Sequence, residues 1–315
     1  MSVPRISLPE VVRQKARSLG APGEAWLEGL PDLVRDLERA WSLKVLQALP
    51  GGSTAYVARV QSRDGQDCVL KIALPGLSTF AHELQILRAA AGRGYVRLWA
   101  DDPRRSAMLQ ERLGRSLEET QPSIERQISI TCRSLQAAWN VPIPPELQLI
   151  TGETKARQLQ HLIRSAWQEL SHPCSEEVVT QALRFADSRA EAHGRQPSVL
   201  VHGDPHGGNV LARWDRARGT EDDSDFKLID PEAFRAEPAY DLGVVMRDWS
   251  APLLQGATVA LAQTYCRRLS QATGVDETAV WEWGFLERVS TGLYALQFGA
   301  EGIGRPMLEV AEQLA

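Results

Sequence analysis

Ser198-Val199-Leu200-Val201-His202-Gly203-Asp204-Pro205-His206-Gly207-Gly208-Asn209 is an apolar run that breaks into a polar loop. Val199, Leu200 and Val201 have strand character, and Asp204 and Asn209 stand in the loop that follows. A second strand-like run, Phe226-Lys227-Leu228-Ile229, ends on another carboxylate, Asp230. The expectation is that neighbouring strands deliver an Asp, an Asn shortly after it, and a later strand-end Asp.

That is the order of a kinase catalytic loop and its metal-binding carboxylate. Phosphoryl transfer to an alcohol needs positioning and charge neutralisation more than covalent chemistry. Asp204 is read as the group that orients an acceptor hydroxyl and takes its proton. Asn209 offers a carbonyl oxygen and Asp230 two hard oxygens, a set that suits Mg2+ beside the phosphates of ATP. Alone, Gly203-Asp204-Pro205 would be a turn and nothing more, because Asp is a standard turn former. The company of Asn209 and Asp230 makes it a candidate base. Gly203-Asp204-Pro205-His206-Gly207 also resembles the Gly-Asp-x-His-Gly segment of metallophosphoesterases. Such two-metal sites need further histidines downstream, and none of the six in this chain follows His206. His202 and His206 are then loop-structuring imidazoles, able in the neutral form to donate to backbone carbonyls.

Upstream, Lys71 ends the strand-like run Val69-Leu70-Lys71 after the hairpin signal Asp64-Gly65. Glu83 follows on a helix predicted from Ser78 or Thr79, with Phe80, Leu84, Leu87 and Ala91 on one face. A Lys71–Glu83 ion pair would hold the lysine for the α/β-phosphates; the plainer alternative leaves Glu83 on the wet face. Gly51-Gly52-Ser53 joins two strand-like runs and would let backbone N–H groups approach phosphates, although a plain hairpin turn looks the same. Glu111 and Leu113, in Gln110-Glu111-Arg112-Leu113, are placed by position alone, where a two-lobed kinase presents its connector to adenine. Asp241 is either an N-cap or a buried acceptor for the catalytic-loop N–H groups. Glu232 and Glu237 flank Asp230; each either meets a cationic substrate or pairs with Arg235 or Arg247.

The chain of 315 residues is long enough for two lobes with sizeable cores. No apolar run nears the roughly 20 residues that span a bilayer, and the N-terminus lacks a signal-peptide core, so a cytoplasmic protein without membrane or export signals is expected. Four widely spaced cysteines read as free thiols. The net charge of −5 and the absence of a basic stripe exclude nucleic acid as the main partner. Between Val201 and Ser250, eleven Asp/Glu face six Lys/Arg. Part of that excess, Glu221 to Asp225, reads as a solvated turn; the rest suits a metal ion and a cationic small molecule. Nothing in the pattern fixes an oligomeric state.

The expected fold class is α+β and two-lobed: a helical extension over 1–39, a small β-rich nucleotide-binding lobe over 40–113, and a larger, mostly helical catalytic and substrate-binding lobe over 114–315. In the extension, one helix is expected to end near Gly29-Leu30 and a second to open at Pro31-Asp32.

His202-Gly203-Asp204 with Asn209 resembles the catalytic motif of the aminoglycoside phosphotransferase superfamily, relatives of the protein kinases. The likeness narrows over Trp26-Leu27, Leu49 to Ser53, Val69 to Ile72, Asp230-Pro231-Glu232, Glu237 to Gly243, Met246-Arg247 and Glu287 to Leu293. These stretches resemble the aminoglycoside/hydroxyurea resistance kinases, among which streptomycin 6-phosphotransferases are familiar. The resemblance implies a kinase-like fold, ATP- and Mg2+-dependent phosphorylation of a small-molecule hydroxyl, and roles for Lys71, Asp204, Asn209 and Asp230 matching those reached from the residues. A streptomycin-like acceptor leads. A metabolic kinase for an amino alcohol, a sugar or a hydroxyurea-like compound is the alternative, and a nucleotide-binding pseudokinase is the third reading.

Overall fold

The computed structural model describes residues 7–50, 52, 54–76, 78–145, 147–215 and 217–315, and for Ser78 and Asp223 the backbone alone. The chain opens with α1 (Glu10–Ser18) and α2 (Ala21–Ala40). The expected break at Pro31 is absent, and α2 runs through it. An interior proline loses an N–H bond and crowds the preceding turn, at about 3 kcal/mol. Leu30, Val34 and Leu37 offset that cost, because they are buried in one core with Tyr56, Leu70 and Ile72. Each such burial contributes about 1.5–3 kcal/mol.

Then come β1 (Leu43–Ala48), β2 (Ala55–Ser62), β3 (Asp67–Ala73), α3 (Ser78–Ala90), β4 (Leu98–Asp102), β5 (Ala107–Glu111) and β6 (Leu113–Ser116). The first five strands form an antiparallel sheet in the order β1-β2-β3-β5-β4. The two-residue alternation of β3 sends Leu70 and Ile72 into the core beneath α2 and Lys71 to the other face.

The remaining elements are α4 (Leu117–Thr120), α5 (Ile124–Trp139), α6 (Gly152–Glu169), α7 (Glu176–Ala192), β7 (Val199–Val201), β8 (Val210–Asp215), β9 (Thr220–Leu228), β10 (Phe234–Ala236), α8 (Ala239–Arg247), α9 (Ser250–Leu254), α10 (Thr258–Thr273), α11 (Glu277–Gln297) and α12 (Glu301–Leu314). Glu221 to Asp225, expected as a solvated turn, lies within β9. Arg213 on β8 donates to Asp222 at 3.1 Å, so part of that acidic run is paired.

Two compact units result: Met1–Gly114 with Arg213–Asp222, and Arg115–Ala212 with Asp223–Ala315. In the first, α2 shares a core with the sheet. The second is built around α11, buried on nearly every side. It packs closely on α8: a Cβ on Gly243 would lie 2.6 Å from Trp283 Cβ and 2.7 Å from the Gly284 nitrogen. All four cysteines are buried and free. Among the described residues, no helix is long and apolar enough to cross a membrane.

Candidate functional site

In the sheet-bearing unit, Lys71 Nζ donates to both Glu83 oxygens at 2.8 Å, and both side chains are buried. Strand β3 fixes the lysine and α3 the glutamate. Gly51 and Ser53 lie outside the described residues; Gly52 adopts φ +73. Glu111 is tied into the sheet edge: its N–H donates to Arg97 O at 2.8 Å and its carboxylate accepts from Arg97 N at 2.7 Å. Leu113 is half-buried at the start of β6. Arg112, between them, donates to Asp67 at 2.6 Å and lies 3.4 Å over the Trp214 ring.

In the helical unit, β7 does not pair with β9 as expected. It pairs with β10, and β9 pairs with β8. The two loops meet through side chains and single backbone bonds. The Asp204 N–H donates to His202 Nδ1 at 3.2 Å, so the neutral ring carries its hydrogen on Nε2, which donates to Ile229 O at 2.8 Å. Ile229 N–H in turn donates to Asn209 O at 3.1 Å. Burial pushes His202 down to about 4, so the ring is neutral at physiological pH.

Asp241 takes the second of its two expected roles. Pro238 is the residue at the N-terminal boundary of α8. The Asp241 carboxylate instead accepts from His202 N at 2.8 Å, Gly203 N at 2.9 Å and Trp139 Nε1 at 2.8 Å. Burial raises it to about 6 against those three donors.

Asp204 follows directly. Its Oδ1 accepts from Arg247 Nη2, and His206 Nε2 stands 3.8 Å from Oδ2. Burial alone would raise its carboxyl, but the charge of Arg247 brings it below the ordinary value. The Asp204 carboxylate is therefore ionised. Asn209 donates its amide nitrogen to Asp204 O at 3.0 Å, so its carbonyl oxygen is the atom that could coordinate a cation. Asp230 is half-buried and holds φ +54, a left-handed conformation uncommon outside glycine. Hard oxygens from Asn209 and Asp230 fit a divalent cation of the Mg2+ kind. Among the described residues, no group of three or more His, Cys, Asp or Glu side chains is placed to hold a metal.

Glu232 is exposed over much of its surface. Loss of water around its carboxyl, then the charge of Asp204, raises it, while Lys155 and Arg247 oppose. Glu237 pairs with neither Arg235 nor Arg247. It accepts from Trp283 Nε1 at 2.9 Å and from Arg189 Nη1 at 3.3 Å, and Arg189 also meets Glu282 at 2.6 Å. Those partners occupy it within the packed interior.

Residue-by-residue reading missed the group that completes the site. Arg247, at the end of α8, pairs with Asp204, with Glu287 at 3.0 Å and with Asp248 at 3.5 Å. Tyr240 OH donates to the other Glu287 oxygen at 2.5 Å, and Asp248 accepts from Gly207 N at 3.3 Å. Arg288 is buried and donates to Met246 O at 2.5 Å. Met246-Arg247 and Glu287-Arg288 both lie inside stretches that carried the resemblance, which was the available signal. The chemistry thus assembled is an ionised carboxylate on a braced loop beside hard oxygen donors.

The aminoglycoside/hydroxyurea antibiotic resistance kinase family matches residues 40–299. A streptomycin 6-kinase of Streptomyces glaucescens is 28% identical over 314 residues, covering 98% of this chain and 97% of the relative. A hydroxyurea phosphotransferase of Kitasatospora aureofaciens is 27% identical over 308 residues, covering 97% and 84%. Among solved structures, an ethanolamine kinase of Plasmodium vivax superposes with a TM-score of 0.60 at 12% identity, covering 95% of this chain and 88% of its own. That likeness carries the fold: α+β, of the protein-kinase kind. The protein belongs to the aminoglycoside/hydroxyurea antibiotic resistance kinase family and is a phosphotransferase with a hydroxyl acceptor.

Proposed function

We propose that the protein transfers the γ-phosphoryl group of ATP to a hydroxyl of a streptomycin-like aminocyclitol, in the cytosol. The observation that carries this reading is the ionised Asp204 on a loop pinned by Asp241, Arg247 and His202. A base for an alcohol needs to be charged and aimed before the substrate arrives. Asp204 takes the hydroxyl proton as the oxygen attacks the γ-phosphorus and the bond to ADP breaks. Asn209 and Asp230 would hold Mg2+, which neutralises phosphate charge when bound. Lys71, braced by Glu83, holds the α/β-phosphates. Burying a Lys–Glu pair contributes little to stability, so its presence is better explained by a ligand that needs the ammonium. Gly51, Gly52 and Ser53 and the segment Glu111–Leu113 are assigned to nucleotide by position in the chain. Glu232 is the remaining candidate for contact with the guanidino groups of streptomycin; Glu237 is engaged internally.

The test is a screen with γ-labelled ATP over aminoglycosides, hydroxyurea-like compounds and common amino alcohols and sugars. Turnover of streptomycin, lost in Asp204→Asn, is the expected result. Saturating turnover of a metabolite with none on streptomycin would replace the acceptor. Tight ATP binding with no transfer to any acceptor would make the chain a pseudokinase.

A further inference from the structure

The two oxygens of Asp204 are not equivalent. Oδ1 is taken by Arg247, whereas Oδ2 faces His206 Nε2 at 3.8 Å. His206 has no choice of tautomer in this arrangement. The Gly208 N–H donates to its Nδ1 at 3.1 Å. A backbone amide cannot accept, so Nδ1 carries the lone pair and the neutral ring bears its hydrogen on Nε2. The ring nitrogen that can donate is therefore the one nearest the base. Gly208 leaves room for the ring and for Glu118: a Cβ there would lie 2.6 Å from Glu118 Oε2, 2.7 Å from His206 Cε1 and 3.0 Å from Nδ1. The His206 and Asp204 side chains are 35% and 27% exposed, so the pair is part-buried but in reach of solvent. At 3.8 Å the contact is longer than a hydrogen bond. Catalytic hydrogen bonds are often long without substrate and close in the complex.

We propose that His206 is a positioning residue for phosphoryl transfer: its Nε2–H holds Asp204 Oδ2 toward the acceptor hydroxyl while Arg247 holds Oδ1. This rests on reading Asp204 as the base. A carboxylate has about four lone-pair sites, so one site on Oδ2 remains to receive the hydroxyl proton as the acceptor oxygen bonds to phosphorus and ADP departs. Capping Gly208 is then only half of what the ring does.

Two amide variants separate the halves. His206→Asn keeps an acceptor near Nδ1 for the Gly208 N–H and removes the Nε2 donor. His206→Gln keeps a donor near Nε2 and removes the cap. The expected result is that His206→Asn lowers kcat by about 10- to 100-fold with KM for ATP and thermal midpoint unchanged, and His206→Gln recovers most of that rate. Full kcat in His206→Asn reduces His206 to a loop cap and overturns the proposal. Nitrogen-15 NMR of the imidazoles gives a readout that needs no turnover. The His206 signal, identified by its loss in His206→Asn, is expected in the Nε2–H form and is expected to move in Asp204→Asn. An Nδ1–H form, or a signal indifferent to Asp204→Asn, overturns the proposal. If the wild-type protein phosphorylates no acceptor, the functional reading fails, and the NMR readout still decides whether His206 holds Asp204.

Discussion

Arg247 and Asp204 form an ion pair in which Nη2 of the arginine donates to Oδ1 of the aspartate, and the same guanidinium reaches Glu287 at 3.0 Å and Asp248 at 3.5 Å. One buried cation thus serves three carboxylates. Burial opposes its charge, but those carboxylates, Asp248 and Asp204 foremost, hold it firmly protonated. Arg247→Met would leave Glu287 and Asp204 without their cation, at a cost of about 3–5 kcal/mol, measurable by urea unfolding. Arg247→Lys keeps the charge and loses the planar fork; we expect a folded protein with kcat reduced by about 100-fold.

The same pair sets a pH dependence. The carboxyl of Asp204 lies below its ordinary value because the charge of Arg247 opposes the effect of burial. A depressed carboxyl contributes stability that is present above the unfolded-state value and lost as pH falls through the folded-state value. The acidic limb of kcat/KM should therefore lie below the usual carboxylate range and move upward in Arg247→Lys, whose single ammonium contacts fewer oxygens. A limb that stays in place would detach Arg247 from the base.

Glu83 holds Lys71 through both carboxylate oxygens. Glu83→Gln should raise KM for ATP by about 10-fold and leave KM for the acceptor unchanged. Lys71→Met should raise it further, and the double variant should be no worse than Lys71→Met alone, because residues acting as a unit are not additive. Additive losses in steady-state kinetics would show two independent roles.

His202 is neutral and fully buried, with its value pushed from 6.5 to about 4 by burial. The unfolded chain takes up a proton near 6.5 and the folded chain does not, so stability should fall as pH drops from about 6.5 to about 4, by an order of a few kcal/mol. Asp241, raised from 3.8 to about 6, has the opposite sign: its contribution is lost as pH rises through that window. Urea midpoints of wild type and His202→Gln across pH 4–7 isolate the histidine by difference. The expected outcome is a flatter acid limb in the variant. Asp241→Asn, which cannot accept from all three donors, should cost about 1–3 kcal/mol at neutral pH.

Gly243 lets α8 and α11 approach. Since its Cβ would meet Trp283 Cβ at 2.6 Å and Gly284 N at 2.7 Å, neither of which is a flexible chain end, Gly243→Ala should destabilise the protein by about 1–3 kcal/mol. It should also loosen Arg247 on the same helix, read as a fall in kcat at temperatures well below unfolding.

Much of the fold was legible because it is written in local patterns. The apolar face of α3 and the Asp64-Gly65 hairpin turn are short-range features, and the structure has a helix over Ser78–Ala90 and places β2 and β3 on either side of that turn. Pro31 misled because a local cost was outweighed by burial of Leu30, Val34 and Leu37 against residues far along the chain. The run Glu221 to Asp225 misled for a related reason: charge density reads as a solvated turn, while strand pairing with β8 depends on a neighbour that periodicity does not announce.

For the candidate site, residue types and their spacing nominated Asp204, Asn209, Asp230, Lys71 and Glu83, because phosphoryl transfer restricts which groups are useful, and of these the structure shows the Lys71–Glu83 pair. Which cation holds Asp204 was beyond that reading. Glu237 had Arg235 and Arg247 as sequence neighbours, yet it meets Arg189 and Trp283, and Arg247 turns to Asp204 and Glu287. Ion pairs inside a protein are chosen by the packing of helices such as α8, α7 and α11, whose contacts join residues some 40 positions apart or more. A linear sequence specifies the chemistry available to a loop. The opening loop's brace, one carboxylate at the start of α8 and one guanidinium at its end, exists only once that helix is docked.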